Sequence, residues 1–165
     1  MDLQEKNKRK LLKSQQAELD GVETYLRLSR LVKNRADAMA FRELAADEGR
    51  HAAVFKKYTN VVLKPRKMQA IAVSILYRLL GKRILYPLIS RFEYAAIPKY
   101  EKMMTEFPEV ESVKDDEKRH GDTVKKLLKN GEYHDFPILP IAAGIVLLFV
   151  IVKIAVSHSR KERVI

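Results

Sequence analysis

Residues 41–55 read Phe-Arg-Glu-Leu-Ala-Ala-Asp-Glu-Gly-Arg-His-Ala-Ala-Val-Phe. Phe41, Leu44, Glu48, His51 and Phe55 recur at steps of three and four, which is the period of one face of an α-helix. Glu48 and His51 therefore lie among apolar residues, on the face such a helix buries. The pattern returns at Val110, Val113, Glu117, His120, Val124 and Leu127, where Asp116-Glu117-Lys118-Arg119-His120 echoes Asp47-Glu48-Gly49-Arg50-His51. Each Glu-x-x-His is preceded by a Glu seven residues ahead of a Tyr, Glu18 with Tyr25 and then Glu93 with Tyr100. These pairs have stripes of their own: Leu11, Glu18, Val22, Tyr25 and Val32 in one case, and Leu85, Ile89, Glu93, Ala96, Tyr100 and Met103 in the other. Four carboxylates and two imidazoles are thus expected to converge on one core.

Outside these stripes the 165 residues are poor in helix breakers, with six Gly and six Pro, and no run alternates apolar with polar residues. That composition points to an all-α fold. Four principal helices are expected at about 7–33, 35–58, 82–105 and 108–128, with a further helix from the apolar stretch 68–89 crossing between the second and third. Short links at Asn34 and at Phe107-Pro108 make antiparallel neighbours, and the long link makes a crossover, which together describe an antiparallel four-helix bundle. Pro87 and Pro98 predict a late start or a bend in the third helix. Asn130 and Gly131 close the fourth.

Cysteine is absent, which excludes disulfides, thiolate metal sites and a four-cysteine iron centre. Four glutamates at close range cannot all ionise in a core without compensating positive charge, and the four stripes carry no Lys or Arg. Two divalent cations would supply that charge, with Glu18, Glu48, His51, Glu93, Glu117 and His120 as ligands. Oxygen donors with one imidazole per metal suit iron, with manganese as the alternative, better than structural zinc. Arg50 and Arg119 are offset from the ligand face and read as surface ion pairs. Asp47 and Asp116 read either as their partners or as acceptors for the opposite His. Tyr25 and Tyr100 stand roughly 10 Å along the helix axis from the Glu on their own helix, and read as core packing with a satisfied hydroxyl in preference to an electron or hydrogen-bond relay to the metals. His134 and His158 lie in polar surroundings and receive no role.

The formal charge of +11, from 32 Lys and Arg against 21 Asp and Glu, calls for an anionic partner. Basic residues gather at Lys6–Lys13, around the central apolar stretch and at Arg160, Lys161 and Arg163, without the aromatic-basic pattern of a nucleic-acid module. Lipid is therefore expected rather than nucleic acid. Residues 138–156 contain Ile-Ala-Ala-Gly-Ile-Val-Leu-Leu-Phe-Val-Ile-Val, with Lys153 the only charge, about the length that crosses a bilayer core as a helix. The expected organisation is a bundle at 1–131, a linker at 132–137, a single C-terminal transmembrane helix at 138–156 and a basic tail at 157–165. The N-terminus lacks the apolar core of a signal peptide, so the bundle is expected on the cytoplasmic side of the membrane. The stretch 68–89, broken by Arg78, Lys82 and Arg83, is expected to lie over the bundle at the membrane interface rather than to span it.

Glu18-x6-Tyr25, Glu48-Gly-Arg-His51, Glu93-x6-Tyr100 and Glu117-Lys-Arg-His120 resemble, in order, the ligand motifs of the rubrerythrin branch of the ferritin-like superfamily. The resemblance covers roughly residues 5–130. From Lys64 through the third helix the chain is particularly similar to the ferritin-like domains fused to membrane iron transporters of the vacuolar type, the membrane-bound ferritins. It implies a ferritin-like bundle holding two iron ions that react with dioxygen or hydrogen peroxide, in iron handling or oxidative-stress defence. An oxidoreductase of ferroxidase or peroxidase type would follow, with a membrane iron transporter or an external reductant as partner; the residues leave open whether the bundle forms a homodimer. The chain departs from rubrerythrin in having no cysteine-ligated domain to feed electrons, and in carrying Ala96 where many relatives have a further Glu. A peroxidase cycle would need an external reductant, whereas ferrous oxidation would not, since Fe2+ is itself the electron donor. The ligand pattern is shared by membrane di-iron monooxygenases of the demethoxyubiquinone hydroxylase type, for which 68–89 would reach quinone. It would equally serve a non-catalytic metal-sensing adaptor.

Overall fold

Asn34 and Asn60 bracket the second helix and show how locally the chain sets its boundaries. The structure, a computed structural model, describes residues 3–129 and folds them into four helices, α1 (Leu3–Leu31), α2 (Arg35–Thr59), α3 (Lys67–Met104) and α4 (Val110–Leu127). Asn34 Oδ1 accepts hydrogen bonds from the amides of Ala36 at 2.9 Å and Asp37 at 3.1 Å, capping α2. Asn60, with φ 52° and ψ 29°, ends it in the left-handed conformation that Asn tolerates better than most residues. Pro108 lies in the turn before α4 rather than in its first turn, and the amides of Val110 and Glu111 reach back to Phe107 and Pro108. Among the described residues there is no strand, and no helix is long and apolar enough to cross a membrane. The linker, the expected membrane helix at 138–156 and the basic tail lie outside the described residues.

The helices make a bundle in which α1 packs on α2, α3 on α4, α1 on α3 and α2 on α4. Directions follow from side-chain pairs. Tyr25 meets Glu93 while Tyr100 meets Glu18, so α1 and α3 run antiparallel. His51 meets Asp116 while His120 meets Asp47, so α2 and α4 do the same. Between α2 and α3 the chain runs along α1 and is strapped to it. Gln15 donates to the carbonyl of Val61 at 2.8 Å and accepts from Thr59 Oγ1 at 2.6 Å, Gln16 donates to the carbonyl of Lys64 at 2.9 Å, and Asp20 accepts from the amide of Arg66 at 2.7 Å. This strap carries the chain across the bundle before α3 begins.

Within α3 the expected disturbance at Pro87 or Pro98 is not where the helix breaks. Both prolines sit inside helix, and the break falls at Gly81, with φ 65° and ψ −179°. Each proline removes one backbone hydrogen bond. The Gly81 conformation instead turns the chain between two segments, 67–80 and 82–104, in a region of backbone space open essentially to glycine alone. Residues 82–89 of the long apolar stretch therefore belong to the principal third helix, and only 67–80 form the crossover.

The apolar core is divided in two. One cluster holds Tyr25, Leu28, Val32, Phe41, Leu44, Leu85, Tyr86, Ile89, Val124 and Leu127, and the other Leu11, Phe55, Tyr100, Met103, Val110 and Val113. Each fully buried Leu, Val or Phe contributes about 1.5–3 kcal/mol through the water it sheds, so both ends of the bundle are held independently of what lies between. In the first cluster Tyr25 stacks on Phe41 at 5.8 Å and Phe41 meets Tyr86 edge-on at 5.3 Å, and Tyr86 ends the row by donating to the buried Asp37 at 2.9 Å. Between the clusters lie the glutamates.

Gly81→Ala is expected to lower the unfolding free energy by about 1–3 kcal/mol, although a Cβ there would meet no neighbouring atom within 4 Å. Denaturant unfolding followed by circular dichroism measures this. An unchanged midpoint would show that the kink does not depend on glycine.

Candidate metal centre

Glu18, Glu48, Glu93 and Glu117 are all buried, as are His51 and His120. Each is delivered by the apolar stripe of its helix, and all six expected residues come together. Donor atoms of Glu18, Glu48, His51 and Glu117 lie within 4.8 Å of one another, and so do those of Glu93, Glu117 and His120 and those of Glu48, His51 and His120. The two rings stack at 5.4 Å between centroids.

The imidazoles are oriented from outside. His51 Nε2 lies 3.1 Å from Asp116 Oδ2, and His120 Nε2 lies 3.1 Å from Asp47 Oδ2. Arg119 braces both acids, donating to Asp47 at 2.7 Å and to Asp116 at 2.6 Å, and Arg50 pairs with Asp47. Burial pushes the two aspartates up, but Arg119 and the histidine each acid faces, joined by Arg50 at Asp47, together outweigh it and hold both below the usual range, so they stay ionised and accept. With Nε2–H committed to an aspartate, each ring turns Nδ1 inward. Both Nδ1 atoms are buried without a hydrogen-bond partner, 3.4 Å from Glu18 Oε2 for His51 and 3.3 Å and 3.5 Å from Glu48 Oε1 and Glu93 Oε2 for His120. A buried nitrogen lone pair facing carboxylate oxygens at these distances is what a cation between them would use. The residues therefore fit a metal site, which His51 and His120 would hold through Nδ1 and the glutamates through their oxygens.

Several groups act in ways that periodicity did not reveal. Tyr25 and Tyr100 are more than core packing, because Tyr25 Oη donates to Glu93 Oε1 and Tyr100 Oη to Glu18 Oε1, each fixing one carboxylate from the partner helix. Burial raises both hydroxyls well above the ordinary tyrosine value, and the adjacent glutamate adds to it, so both remain donors. A cation also lies at the margin, contrary to the expectation from the stripes. Lys99 Nζ stands 3.0 Å from Tyr100 Oη and 4.3 Å from the centre of its ring. Burial lowers the Lys99 pKa against the pull of Glu18, Glu117 and Glu48. Gly21, one turn beyond Glu18, gives the Glu48 carboxylate its space, since a Cβ there would lie 2.9 Å from Glu48 Oε2. A glycine inside an unbroken helical stripe was the sequence signal for that close approach.

Protons hold the site together electrostatically. Burial, reinforced by Glu18, raises Glu48 well above the carboxylate range, and burial with Glu18 and Glu93 raises Glu117 to about 10. Glu18 goes the other way, because the facing His51, with Glu48 and the Tyr100 hydroxyl, outweighs its burial. Burial pushes His51 down, but Glu18 and Asp116 outweigh it and raise its pKa. Positive charge and shared protons thus fill the role that cations would take. No family model, no curated protein and no solved structure matches the chain, so its chemistry has to be inferred from these groups themselves.

Two outcomes are expected. A carboxyl whose pKa is raised by folding stabilises the fold at low pH and loses that contribution as pH climbs through its folded value. Glu117, moved from 4.5 to about 10, therefore makes the metal-free chain less stable from about pH 5 to pH 9. Glu48 and His51 add to this with the same sign. Mn2+, which binds the deprotonated groups, should oppose the trend, and thermal melts with chelator or with Mn2+ across that range check it. Separately, the Cβ of Gly21→Ala meets Glu48 already in the metal-free fold, so the helix-propensity gain of about 1 kcal/mol should be offset there by crowding, while Mn2+ binding weakens about tenfold. Calorimetric titration and denaturant melts separate the two effects.

Proposed function

We propose that the chain is a rubrerythrin-like member of the ferritin-like di-iron proteins, tethered to a membrane through residues 138–156, which binds Fe2+ and oxidises it. The observation that carries this is the pair of buried, unpartnered Nδ1 atoms facing four glutamates, each ring held by an ionised aspartate. In this reading the two ferrous ions are substrate and give one electron each to hydrogen peroxide, which takes up two protons and leaves as two waters; dioxygen is the alternative acceptor. Glu18, Glu48, Glu93 and Glu117 supply negative charge that favours the ferric product. Glu48 and Glu117 release protons as cations enter, and Tyr25 and Tyr100 keep Glu93 and Glu18 from rotating away. Oxygen and nitrogen donors without thiolate favour iron or manganese over structural zinc. The apolar run at 138–156 and the charge of +11 support a membrane location.

Anaerobic Fe2+ titration of the full chain, followed by addition of peroxide or dioxygen, tests this. Two Fe2+ per chain and rapid oxidation are expected, with Glu48→Ala losing at least one equivalent. Glu48→Ala that binds like wild type would remove the site from consideration. Tight binding without consumption of oxidant would point instead to a metal-sensing adaptor.

A further inference from the structure

Helix segment 67–80 is apolar on two opposite sides. Ala70, Ser74 and Leu80 are buried, and Val73, Leu76 and Tyr77 pack against the first core cluster, which accounts for the inner side. Met68, Ile71, Ile75 and Leu79, at steps of three, four and four, form an outer stripe with exposures of 73, 38, 44 and 54%. Beyond Gly81 the exposed side chains include Leu88 and, at 73%, Phe92. A helix that is apolar all round belongs under cover, and a contiguous exposed stripe of this kind marks an interaction surface.

Charge selects what covers it. From residue 61 to residue 92 there is no Asp or Glu, while Lys64, Arg66, Lys67, Arg78 and Arg91 are all exposed there. Arg66 pairs with Asp20 of α1, and Lys82 is turned inward beside Asp37 at 3.6 Å. An apolar stripe fringed by cations with no anion among them is the makeup of a helix that lies in the headgroup layer of an anionic bilayer, its basic stems reaching up to phosphate. A second copy of the chain docked by twofold symmetry would set the same cations against one another without an acidic partner. We infer that the outer face of segment 67–80 rests on an anionic phospholipid surface, with Ile71, Ile75 and Leu79 in the acyl boundary and Arg78 and Lys67 at the headgroups.

The absence of cysteine makes the test direct. Full-length single-cysteine variants Ile75→Cys and Phe92→Cys, with Glu43→Cys on α2 as the control, carry an environment-sensitive nitrobenzoxadiazole label. They are reconstituted into phosphatidylcholine vesicles with or without phosphatidylglycerol. Nitroxide-bearing lipid should remove most of the emission at residue 75 in the anionic vesicles, much less in phosphatidylcholine alone, and little at residue 43. Equal quenching in both vesicles overturns the anionic surface as the partner. A blue-shifted residue 75 that lipid nitroxide does not quench overturns the proposal in favour of a protein cover, and a residue 75 as water-exposed as residue 43 overturns it outright. Because no metal enters the measurement, the outcome is independent of whether the glutamate site binds iron.

Discussion

Four glutamate side chains buried at one level of a helical bundle set the terms for everything around them. Each would be costly to desolvate alone, and together they repel. The chain answers with donors rather than with buried lysines: a tyrosine to each of Glu18 and Glu93, an imidazole nitrogen facing each hairpin's carboxylates, and protons retained on Glu48 and Glu117. The apolar clusters on either side then hold the polar layer in a buried, fixed geometry. Such an arrangement leaves its strongest unmet demand at the centre, where the two Nδ1 atoms have no hydrogen-bond partner.

Support for the imidazoles comes from a network that is partly exposed. Arg119 reaches the aspartates behind both rings, so one surface guanidinium keeps two buried rings in the same tautomer. Surface ion pairs usually contribute little to stability. Here the contribution is orientation, because an aspartate held ionised is a reliable acceptor for Nε2–H and thereby leaves Nδ1 as the donor atom.

Much of this could be read from residue spacing, because burial of a helix face leaves a 3.6-residue imprint that polar residues share when they are buried too. The stripes placed Glu18, Glu48, His51, Glu93, Glu117 and His120 in one core, and the short and long links gave the bundle its connectivity. What spacing could not convey were contacts between helices. Tyr25 and Tyr100 stand two turns from the glutamates on their own helices, and only the antiparallel pairing of α1 with α3 brings each to the other's. Lys99 escaped notice because it lies off the stripe and enters along the ring of Tyr100. Pro87 and Pro98 are plain in the sequence through the hydrogen bond each removes, but the kink is set by Gly81, whose permissive backbone leaves no such mark. The strap from Gln15 and Gln16 to the link at 61–64 was invisible for a similar reason, since amide side chains binding backbone carbonyls have no period.

The contacts at the centre come in reciprocal pairs: Tyr25 with Glu93 and Tyr100 with Glu18, His51 with Asp116 and His120 with Asp47. The hairpin of α1 and α2 presents to its mate nearly the same groups, in the same order, that the mate presents in return. Such a hairpin is self-complementary. Two identical copies related by a twofold axis would meet through the same reciprocal pairs, which leaves the strap and the Gly81 turn as the parts that make the two hairpins one chain.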